Sequence, residues 1–284
     1  MRAALLREAI EQLRTVTDAP HLDAELLLSQ LLDIDRVTLR THADVAVPPE
    51  REALFRQWLT RRATGEPLAY ILGNQEFYSR LFEVTPEVLI PRPDTEILID
   101  WALEYLRTEG VHSVMELGVG SGCIAVTLAA ETQSAHVTAI DISAEALEVA
   151  RRNAQQHGVD ERIDWIHGDG LSVLETGNVH HELLVSNPPY VASEDPELEK
   201  NVRRYEPALA LLDPFEGDGL GFYRRIASAL AHNTSPRRGP QCVLVEVGNN
   251  QAPAVQELFE KAGFTTHSRR DLAGIERVVR ADRG

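Results

Sequence analysis

The sequence contains little cysteine and little lysine. Its 284 residues include two cysteines, Cys123 and Cys242, and two lysines, so arginine supplies nearly all of the positive charge. The cysteines are far apart, lie in apolar runs and match no metal-binding spacing, so we expect buried thiols rather than a disulfide framework. The histidines form no HExxH or similar group, and we predict that the protein needs no metal ion.

Positive charge as a whole is also scarce. Lysine and arginine together number 28 against 44 acidic residues, which gives a formal net charge of -16. Proteins that bind polyanions need a basic surface. This balance therefore argues against direct binding of nucleic acid.

Long apolar runs are missing. No stretch of about 18 apolar residues occurs, so no membrane-spanning helix is predicted. The first residues, MRAALLREAIEQL, have amphipathic spacing with acids and do not resemble a signal peptide. We expect a soluble, cytoplasmic protein with no membrane partner.

Residues 1–75 have apolar side chains at helical spacing. The segment LLREAIEQL places leucines and an isoleucine on one helical face, and a second, leucine-rich helix is expected to begin near Asp23, a capping-type residue. Pro48-Pro49 is typical of the start of a further helix. We predict a small helical-bundle domain over residues 1–75.

The next residues have a pattern typical of β-structure. The segment YILGNQEFYSRLFEVTPEVLI combines β-favouring runs with turn signals at Gly73-Asn74 and Ser79-Arg80. We predict a β-hairpin, residues 76–90, that links two domains.

A stiff segment, Pro91-Arg92-Pro93, follows the predicted hairpin. It could form the roof of a pocket, but a rigid connection between domains is the interpretation that we adopt. Asp94 or Thr95 is expected to cap the helix ILIDWALEYLR that comes next.

Predicted strands alternate with predicted helices from residue 91 to residue 284. The strands are SVMEL, HVTAI, RIDWI, LLVS and CVLVEV, and a final hairpin is expected over residues 264–281. Strands that alternate with helices form a parallel sheet. We therefore predict an α/β domain over residues 91–284, with a Rossmann-like, doubly wound sheet.

Polar motifs follow four of these strands at the point where each strand ends. They are Gly118 to Gly122, Asp141, Asp169 and Asn187, and in a doubly wound sheet the ligand lies at this edge. Glycines allow a tight turn and close backbone approach to a ligand. Asp141 is placed to accept hydrogen bonds from both ribose hydroxyls of a nucleotide, and Asp169 could accept one from an adenine amine.

The glycine motif distinguishes two kinds of nucleotide site. A dinucleotide dehydrogenase would need glycine at position 123 to complete G-x-G-x-x-G, where this chain has Cys123. The observed G-x-G-x-G after the acidic Glu116 is more usual for S-adenosylmethionine. A glycine motif alone is weak, but Asp141 and the loop at Asn187 follow the proper strands and favour an S-adenosylmethionine site.

The loop Asn187-Pro188-Pro189-Tyr190 follows a short apolar strand. Its two prolines exclude a helix and a paired strand, and each offers only a carbonyl acceptor. The Asn187 side-chain oxygen and the Pro188 carbonyl can each accept one N–H of a planar –NH2 group, on which Tyr190 can stack. A plain turn after a strand is the alternative, but the neighbouring cofactor motifs favour a site for a nitrogen that accepts a methyl group.

Together these motifs resemble those of the HemK/PrmC family, the protein-glutamine N-methyltransferases that modify peptide-chain release factors. The resemblance extends over nearly the whole chain and includes GEPLAYILGNQEF, VLIPRPDTE, ELGVGSG, SNPPY, YEPALAL and ERVV. It implies methyl transfer from S-adenosylmethionine to the side-chain amide nitrogen of the glutamine in the Gly-Gly-Gln motif of a release factor. Since no reactive group of residues precedes residue 75, we expect the helical domain to recognise the protein substrate.

The resemblance and the strand-end motifs together assign roles to residues. Cofactor binding is assigned to Glu116, Gly118, Val119, Gly120, Ser121, Gly122, Asp141, Asp169, Gly170 and Asn187. Catalysis is assigned to Asn187, Pro188 and Tyr190, and substrate binding to Asn187, Pro188, Pro189 and Tyr190. Some relatives have a tryptophan at the position of Gly170, so we expect Leu171 to form the adenine wall and Gly170→Trp to be tolerated.

Three alternatives remain open at this point. Two keep the chemistry and change the substrate to a glutamine of a ribosomal protein or to an adenine amine of nucleic acid. The ribosomal-protein enzymes differ around the PRPDTE segment, and the acidic charge disfavours nucleic acid. The third is a non-catalytic cofactor-binding scaffold, which would not need the intact Asn187 and Pro188.

Overall fold

The computed structural model describes residues 1–42, 44–176, 181–196, 198–232 and 239–284. The helices in these ranges are α1 (Arg2–Leu13), α2 (Pro20–Leu32), α3 (Arg36–Thr41), α4 (Pro49–Ala63), α5 (Leu68–Leu72), α6 (Thr95–Glu109), α7 (Cys123–Glu131), α8 (Ala144–Gln156), α9 (Gly170–Glu175), α10 (Lys200–Tyr205), α11 (Ala208–Leu211), α12 (Gly221–His232) and α13 (Ala252–Lys261). The strands are β1 (Asn74–Phe77), β2 (Arg80–Glu83), β3 (Ser113–Leu117), β4 (His136–Asp141), β5 (Ile163–His167), β6 (Leu183–Ser186), β7 (Cys242–Glu246), β8 (Phe264–Arg270) and β9 (Glu276–Arg283). None of these helices is both long and apolar enough to cross a membrane.

The chain forms two compact units. One contains Met1–Asn74 with Glu199–Tyr205, and the other contains Gln75–Leu198 with Glu206–Gly284. The segment Glu199–Tyr205 lies within the range that the sequence suggested for the α/β domain, yet it groups with the helical unit. A hydrogen bond of 3.1 Å from the Tyr205 hydroxyl to the Thr64 backbone oxygen holds it there.

The helical unit is built from amphipathic helices around a leucine-rich core that includes Phe55 and Leu59. Helix α2 begins at Pro20, because the fixed φ of proline suits the first helical turn. Asp23 therefore lies inside α2, and the prediction that it caps this helix is wrong. Its buried carboxylate accepts a hydrogen bond of 2.7 Å from Arg62 Nε instead.

A hairpin opens the α/β unit. Strands β1 and β2 form a two-stranded sheet, and the two residues between them, Tyr78 and Ser79, have φ values of 50° and 58°. Two consecutive left-handed residues are typical of the tight turn that matches the twist of paired strands. The hairpin thus turns one residue earlier than the Ser79-Arg80 signal suggested.

The predicted doubly wound sheet is confirmed. The described residues form a seven-stranded sheet in the order β5-β4-β3-β6-β7-β9-β8, in which β3 to β7 are parallel and β9 is antiparallel to both of its neighbours. Helices α6, α7 and α8 contribute to the apolar core on one face, and α9, α12 and α13 to the core on the other. The α/β unit is therefore a three-layer fold with an antiparallel hairpin at one edge of its sheet.

The register of the central strands brings their carboxyl ends to one level. Leu117, the last residue of β3, lies opposite Ile140 of β4 and Ser186 of β6. Asp141 lies opposite His167 at the end of β5. The loops that follow these strands consequently leave the sheet side by side.

Candidate active site

A cavity of about 440 Å³ lies at the carboxyl ends of the parallel strands. Most of the residues predicted for the site line it, namely Glu116, Gly118, Val119, Gly120, Ser121, Asp141, Asp169, Gly170, Asn187 and Pro189. Gly122, Pro188 and Tyr190 are not among the described residues on its wall. The cavity thus lies at the edge of the sheet where the strand-end motifs predicted a ligand site. Gly122, Pro188 and Tyr190 do not line it.

The glycine loop after β3 contains two kinds of glycine. Gly118 and Gly120 line the cavity with φ values of 75° and 54°, which side chains rarely adopt. Gly122 also has a positive φ, of 79°, but a Cβ there would lie 2.9 Å from the Cβ of Ala150 on α8. Gly122 thus allows α7 and α8 to pack closely, which the sequence motif alone did not distinguish from cofactor contact.

Asp141 ends β4 with its carboxylate bound by two backbone groups. Oδ2 accepts a hydrogen bond of 2.9 Å from Gly120 N, and Oδ1 accepts one of 2.9 Å from Ser143 N. Each carboxylate oxygen has a second lone pair. The side chain is therefore fixed in direction while keeping acceptor capacity for a pair of hydroxyls.

Asp169 has a structural role that the sequence analysis did not predict. It caps α9 through hydrogen bonds from Leu171 N at 3.0 Å and from the Ser172 hydroxyl at 2.6 Å. Burial acts to raise the pKa of Asp169, but these hydrogen bonds outweigh it and the pKa is lowered. An ionised carboxylate thus stays on the cavity wall.

The space expected at Gly170 is already filled. A Cβ at this position would lie 2.7 Å from Leu117 Cδ2 and 3.5 Å from Ile140 Cγ2. Leu117 is 1% exposed, so any larger residue at position 170 must displace a packed core side chain. The prediction that Gly170→Trp is tolerated stays a prediction and requires the end of the Leu117 side chain to shift, whereas Leu171 does line the cavity as expected.

Glu116 lines the cavity and has one side-chain oxygen that accepts no hydrogen bond from the described residues. Its Oε2 accepts a hydrogen bond of 2.9 Å from Ala125 N, while Oε1 is buried with no hydrogen-bond partner in the described part of the chain. Burial raises the pKa of Glu116 well above its ordinary value. A buried acceptor without a partner is costly, and a cationic ligand group beside it would remove that cost. The wall thus fits a ligand with a ribose and a positive charge, as S-adenosylmethionine has.

Asn187 leaves the sheet beside the glycine loop. The Ser186 hydroxyl donates a hydrogen bond of 2.7 Å to the Leu117 backbone oxygen, and a Cβ at Gly118 would lie 4.0 Å from the Asn187 backbone oxygen. The Asn187 side chain donates from Nδ2 to Thr95 Oγ1 at 3.3 Å. No donor within the described residues occupies its Oδ1, so an acceptor oxygen is available at the cavity wall.

Tyr190 and Pro188 lie away from the cavity surface. Pro188 is buried, and the half-buried Tyr190 packs against the core that α12 and α13 share. The Tyr190 hydroxyl donates a hydrogen bond of 3.2 Å to Glu246 Oε1, and burial raises its pKa. In this structure the ring supports the loop from behind.

Gln251 secures the same loop and was not predicted. Its Nε2 donates to the backbone oxygens of Tyr190 at 2.9 Å and Gly219 at 3.3 Å, while its Oε1 accepts from Gly248 N at 2.9 Å. A single side chain thus joins three loops. Its position just before α13 gave no motif by which to find it.

The start of α6 departs from the predicted capping. Asp94 occupies the N-cap position but makes no side-chain cap hydrogen bond, and its carboxylate pairs with Arg277 at 3.1 Å. Thr95 donates its hydroxyl proton to Glu246 Oε2 at 2.6 Å. Asp94 therefore holds the predicted N-cap position, but both side chains bind distant partners, and the predicted capping hydrogen bond is not formed.

The segment before α6 is part of the cavity. Pro91, Arg92 and Thr95 line it, and Arg92 is held by a hydrogen-bonded ion pair with the buried carboxylate of Glu206. Glu206 also accepts a hydrogen bond of 3.2 Å from Ile90 N. The interpretation as a rigid connection between domains is therefore wrong: the segment lies within the α/β unit, and Pro91 and Arg92 form part of the cavity wall.

Comparisons with known proteins agree with this fold and site. The family model described as "PrmC N-terminal domain" matches residues 4–73, and the one described as "Methyltransferase small domain" matches residues 95–213. A release factor glutamine methyltransferase of Bordetella pertussis is 44% identical over 260 residues, which cover 91% of this chain and 93% of that protein. One of Nitratidesulfovibrio vulgaris is 40% identical over 98% of this chain and 94% of that protein.

Solved structures share the fold at low sequence identity. The hMettl16 catalytic domain has a TM-score of 0.55 at 15% identity, with 82% of each chain covered. The human methyltransferase 10 domain containing protein has a TM-score of 0.52 at 17% identity, with 80% of this chain and 98% of that chain covered. The sheet, the strand-end cavity and the methyltransferase family model define an S-adenosylmethionine-dependent methyltransferase. Among these enzymes, the chain belongs to the release factor glutamine methyltransferase family.

Proposed function

We propose that this protein transfers a methyl group from S-adenosylmethionine to the side-chain amide nitrogen of the glutamine in the Gly-Gly-Gln motif of peptide-chain release factors. The observation that carries the proposal is the Asn187 amide at the cavity wall. Its nitrogen is engaged by Thr95, and its oxygen has no partner among the described residues. An oriented acceptor beside the glycine loop suits an incoming –NH2 group.

The cofactor is assigned to the residues at the ends of β3, β4 and β5. The glycine loop, with Val119, Ser121 and Gly122 completing it, would follow the cofactor with its backbone, and Asp141 would accept from the ribose hydroxyls. Glu116 would accept from the ammonium group of the methionine part, and Asp169 with Gly170 would border the adenine. When bound, S-adenosylmethionine supplies an electrophilic methyl group on a sulfonium.

The substrate amide is assigned to the Asn187–Tyr190 loop. An amide nitrogen is a poor nucleophile because its lone pair is delocalised, so alignment must supply much of the rate, up to about 7–11 kcal/mol at the limit. Asn187 Oδ1 would accept one N–H of the substrate, whereas the predicted second acceptor, the Pro188 carbonyl, belongs to a buried residue off the cavity wall. The nitrogen becomes more positive as it is methylated, so the Asn187 oxygen binds the transition state better than the ground state. The nitrogen then releases one proton to solvent.

The helical unit is assigned to recognition of the protein substrate. The family model that matches residues 4–73 is described as an N-terminal domain of these enzymes, and the residues proposed for chemistry all belong to the α/β unit. Release factors act on ribosomes, so we place the reaction in the cytoplasm, with no direct role for nucleic acid.

Methylation of a purified release factor tests the proposal. We expect the full-length protein with S-adenosylmethionine to add one methyl group to the Gly-Gly-Gln peptide, detected by mass spectrometry after proteolysis. A release factor in which that glutamine is replaced by asparagine is the matched control and should stay unmodified. Asn187→Ala should slow the reaction about a hundred- to a thousandfold. Label from the cofactor that appears in ribosomal protein or nucleic acid, and not in release factor, would refute the substrate.

A further inference from the structure

A chain of hydrogen bonds runs from a buried carboxylate to the substrate loop. The Thr95 hydroxyl lies 2.6 Å from Glu246 Oε2, and Asn187 Nδ2 lies 3.3 Å from Thr95 Oγ1. The Tyr190 hydroxyl lies 3.2 Å from the other carboxylate oxygen of Glu246. Thr95 is 2% exposed and Glu246 1% exposed, so solvent does not compete for the link between them.

We infer that Glu246 is a positioning residue which, through the Thr95 hydroxyl, fixes the direction of the Asn187 amide for the methyl acceptor. An ionised carboxylate only accepts hydrogen bonds, so the single hydroxyl proton of Thr95 must point to Glu246. Thr95 Oγ1 can then only accept from Asn187. The Asn187 N–H is thereby drawn to Thr95, and its oxygen is left for the substrate nitrogen.

Protonation of Glu246 would reverse the polarity of this chain. A neutral carboxyl group can donate to Thr95 Oγ1, which frees the Thr95 proton to point toward Asn187. The Asn187 amide can then turn its oxygen to Thr95 and present its –NH2 to the cavity. In that orientation it cannot accept an N–H from a glutamine amide, so the loop keeps its shape but loses its acceptor.

The surroundings of Glu246 allow it to titrate near neutral pH. Burial raises its pKa to about 7, while hydrogen bonds from Thr95 and Tyr190 lower it. Asp94 raises the pKa and Arg277 lowers it through their charges, and the Tyr223 hydroxyl binds the Glu246 backbone oxygen at 2.7 Å. A further titratable neighbour among the described residues is the half-buried thiol of Cys123 on α7, whose pKa burial raises to about 12. The ionised form thus prevails above neutral pH.

The test measures how the rate of one methyl transfer depends on pH. Enzyme saturated with S-adenosylmethionine is mixed with less than one equivalent of release factor, and the methylated peptide is counted by mass spectrometry over a series of pH values. Thr95→Val removes the hydroxyl and keeps the shape, and Thr95→Ser keeps the hydroxyl as the matched control. Glu246→Gln removes the titrating group.

We expect the wild-type rate to rise with pH through an apparent pKa near 7, since a primary amide substrate does not titrate there. The rate of Thr95→Val should not rise with pH. Above the apparent pKa it should be lower than the wild-type rate by about tenfold or more. Thr95→Ser should keep the rise and stay within a few-fold of wild type. Glu246→Gln should give a rate that no longer changes around neutral pH, with cofactor affinity by calorimetry within about threefold of wild type for every variant.

Two outcomes would overturn the inference. A Thr95→Val enzyme with the wild-type rate and pH dependence would show that the chain does not orient Asn187. A Thr95→Ser enzyme as slow as Thr95→Val would show that Thr95 matters for packing alone. The inference rests on the proposed function, and Asn187→Ala separates the two. Full activity of Asn187→Ala would refute the proposed role of Asn187. An inactive Asn187→Ala together with a fully active Thr95→Val would refute only the role of Glu246.

Discussion

Replacing Glu246 by glutamine should change how the stability of the α/β unit depends on pH. Burial raises the pKa of Glu246 from an ordinary value of 4.5 to about 7. Between these values the folded chain holds a proton that the unfolded chain has lost. The stabilisation that comes from protonated Glu246 is therefore complete below about pH 4.5 and is lost as the pH rises through about 7. The difference between the two pKa values corresponds to about 3 kcal/mol.

Glutamine does not titrate, so the free energy of unfolding of Glu246→Gln should not fall with rising pH in the way that Glu246 causes in the wild type. Its amide can still accept from Thr95 and donate to the Tyr190 oxygen, which keeps the local packing. We expect the free energy of unfolding of Glu246→Gln to gain about 2–3 kcal/mol relative to wild type on going from about pH 5 to about pH 8.

Urea unfolding followed by tryptophan fluorescence measures this difference. A Trp58→Phe background leaves Trp101 and Trp165, which both lie in the α/β unit, so the signal reports on that unit. The same change at the exposed Glu148 is the matched control and should leave the pH dependence of wild type. A difference between Glu246→Gln and wild type that stays constant with pH would refute the view that a titrating carboxylate lies buried at this position.

Three further substitutions, two of them compared with a second variant, test the residues around the cavity. Asp141→Ala should weaken S-adenosylmethionine binding, measured by calorimetry, because it removes charge-assisted hydrogen bonds of about 1.5–3 kcal/mol each; unchanged affinity would contradict the ribose assignment. Gly122→Ala should lower the free energy of unfolding in urea by about 1–3 kcal/mol through contact with Ala150. Ala150→Gly should cost less stability in the Gly122→Ala background than in the wild type, and an equal cost in both would mean that the Ala150 methyl group is not what Gly122→Ala meets. Gly170→Ala should lower stability through contact with Leu117, while Gly168→Ala, which meets no protein atom within 4 Å, should leave stability unchanged; equal stability of the two variants would show that Leu117 yields freely.

The sheet and the cavity were predictable because they depend on local patterns. Apolar strands alternate with amphipathic helices, and each strand that reaches the cavity ends in a polar or glycine-rich motif, so the parallel sheet and the edge that holds the ligand follow from general rules of α/β folds. The antiparallel edge was foreseen as a final hairpin, and β8 and β9 confirm it.

The support behind the site was not predictable in the same way. Glu246 ends an apolar strand just as Asp141 does, and the strand-end rule could have drawn attention to it. Its partners, however, lie 151 residues away at Thr95 and 56 residues away at Tyr190. Such contacts follow from tertiary packing and not from spacing along the chain. For the same reason, Asp94 and Thr95 seemed to be caps when each had a distant partner.

The position of Glu246 along the chain has a consequence for the order in which the protein matures. A ribosome adds residues from the N-terminus onward, and folding begins with what has already emerged. The glycine loop, Asp141 and Asn187 are all synthesised before the strand that carries Glu246, and Gln251 follows that strand. A growing chain therefore contains the glycine loop, Asp141, Thr95 and Asn187 before it contains Glu246. Because domains generally fold as units and the strand with Glu246 lies inside the sheet, the enzyme would become competent only when the last third of the chain has been made.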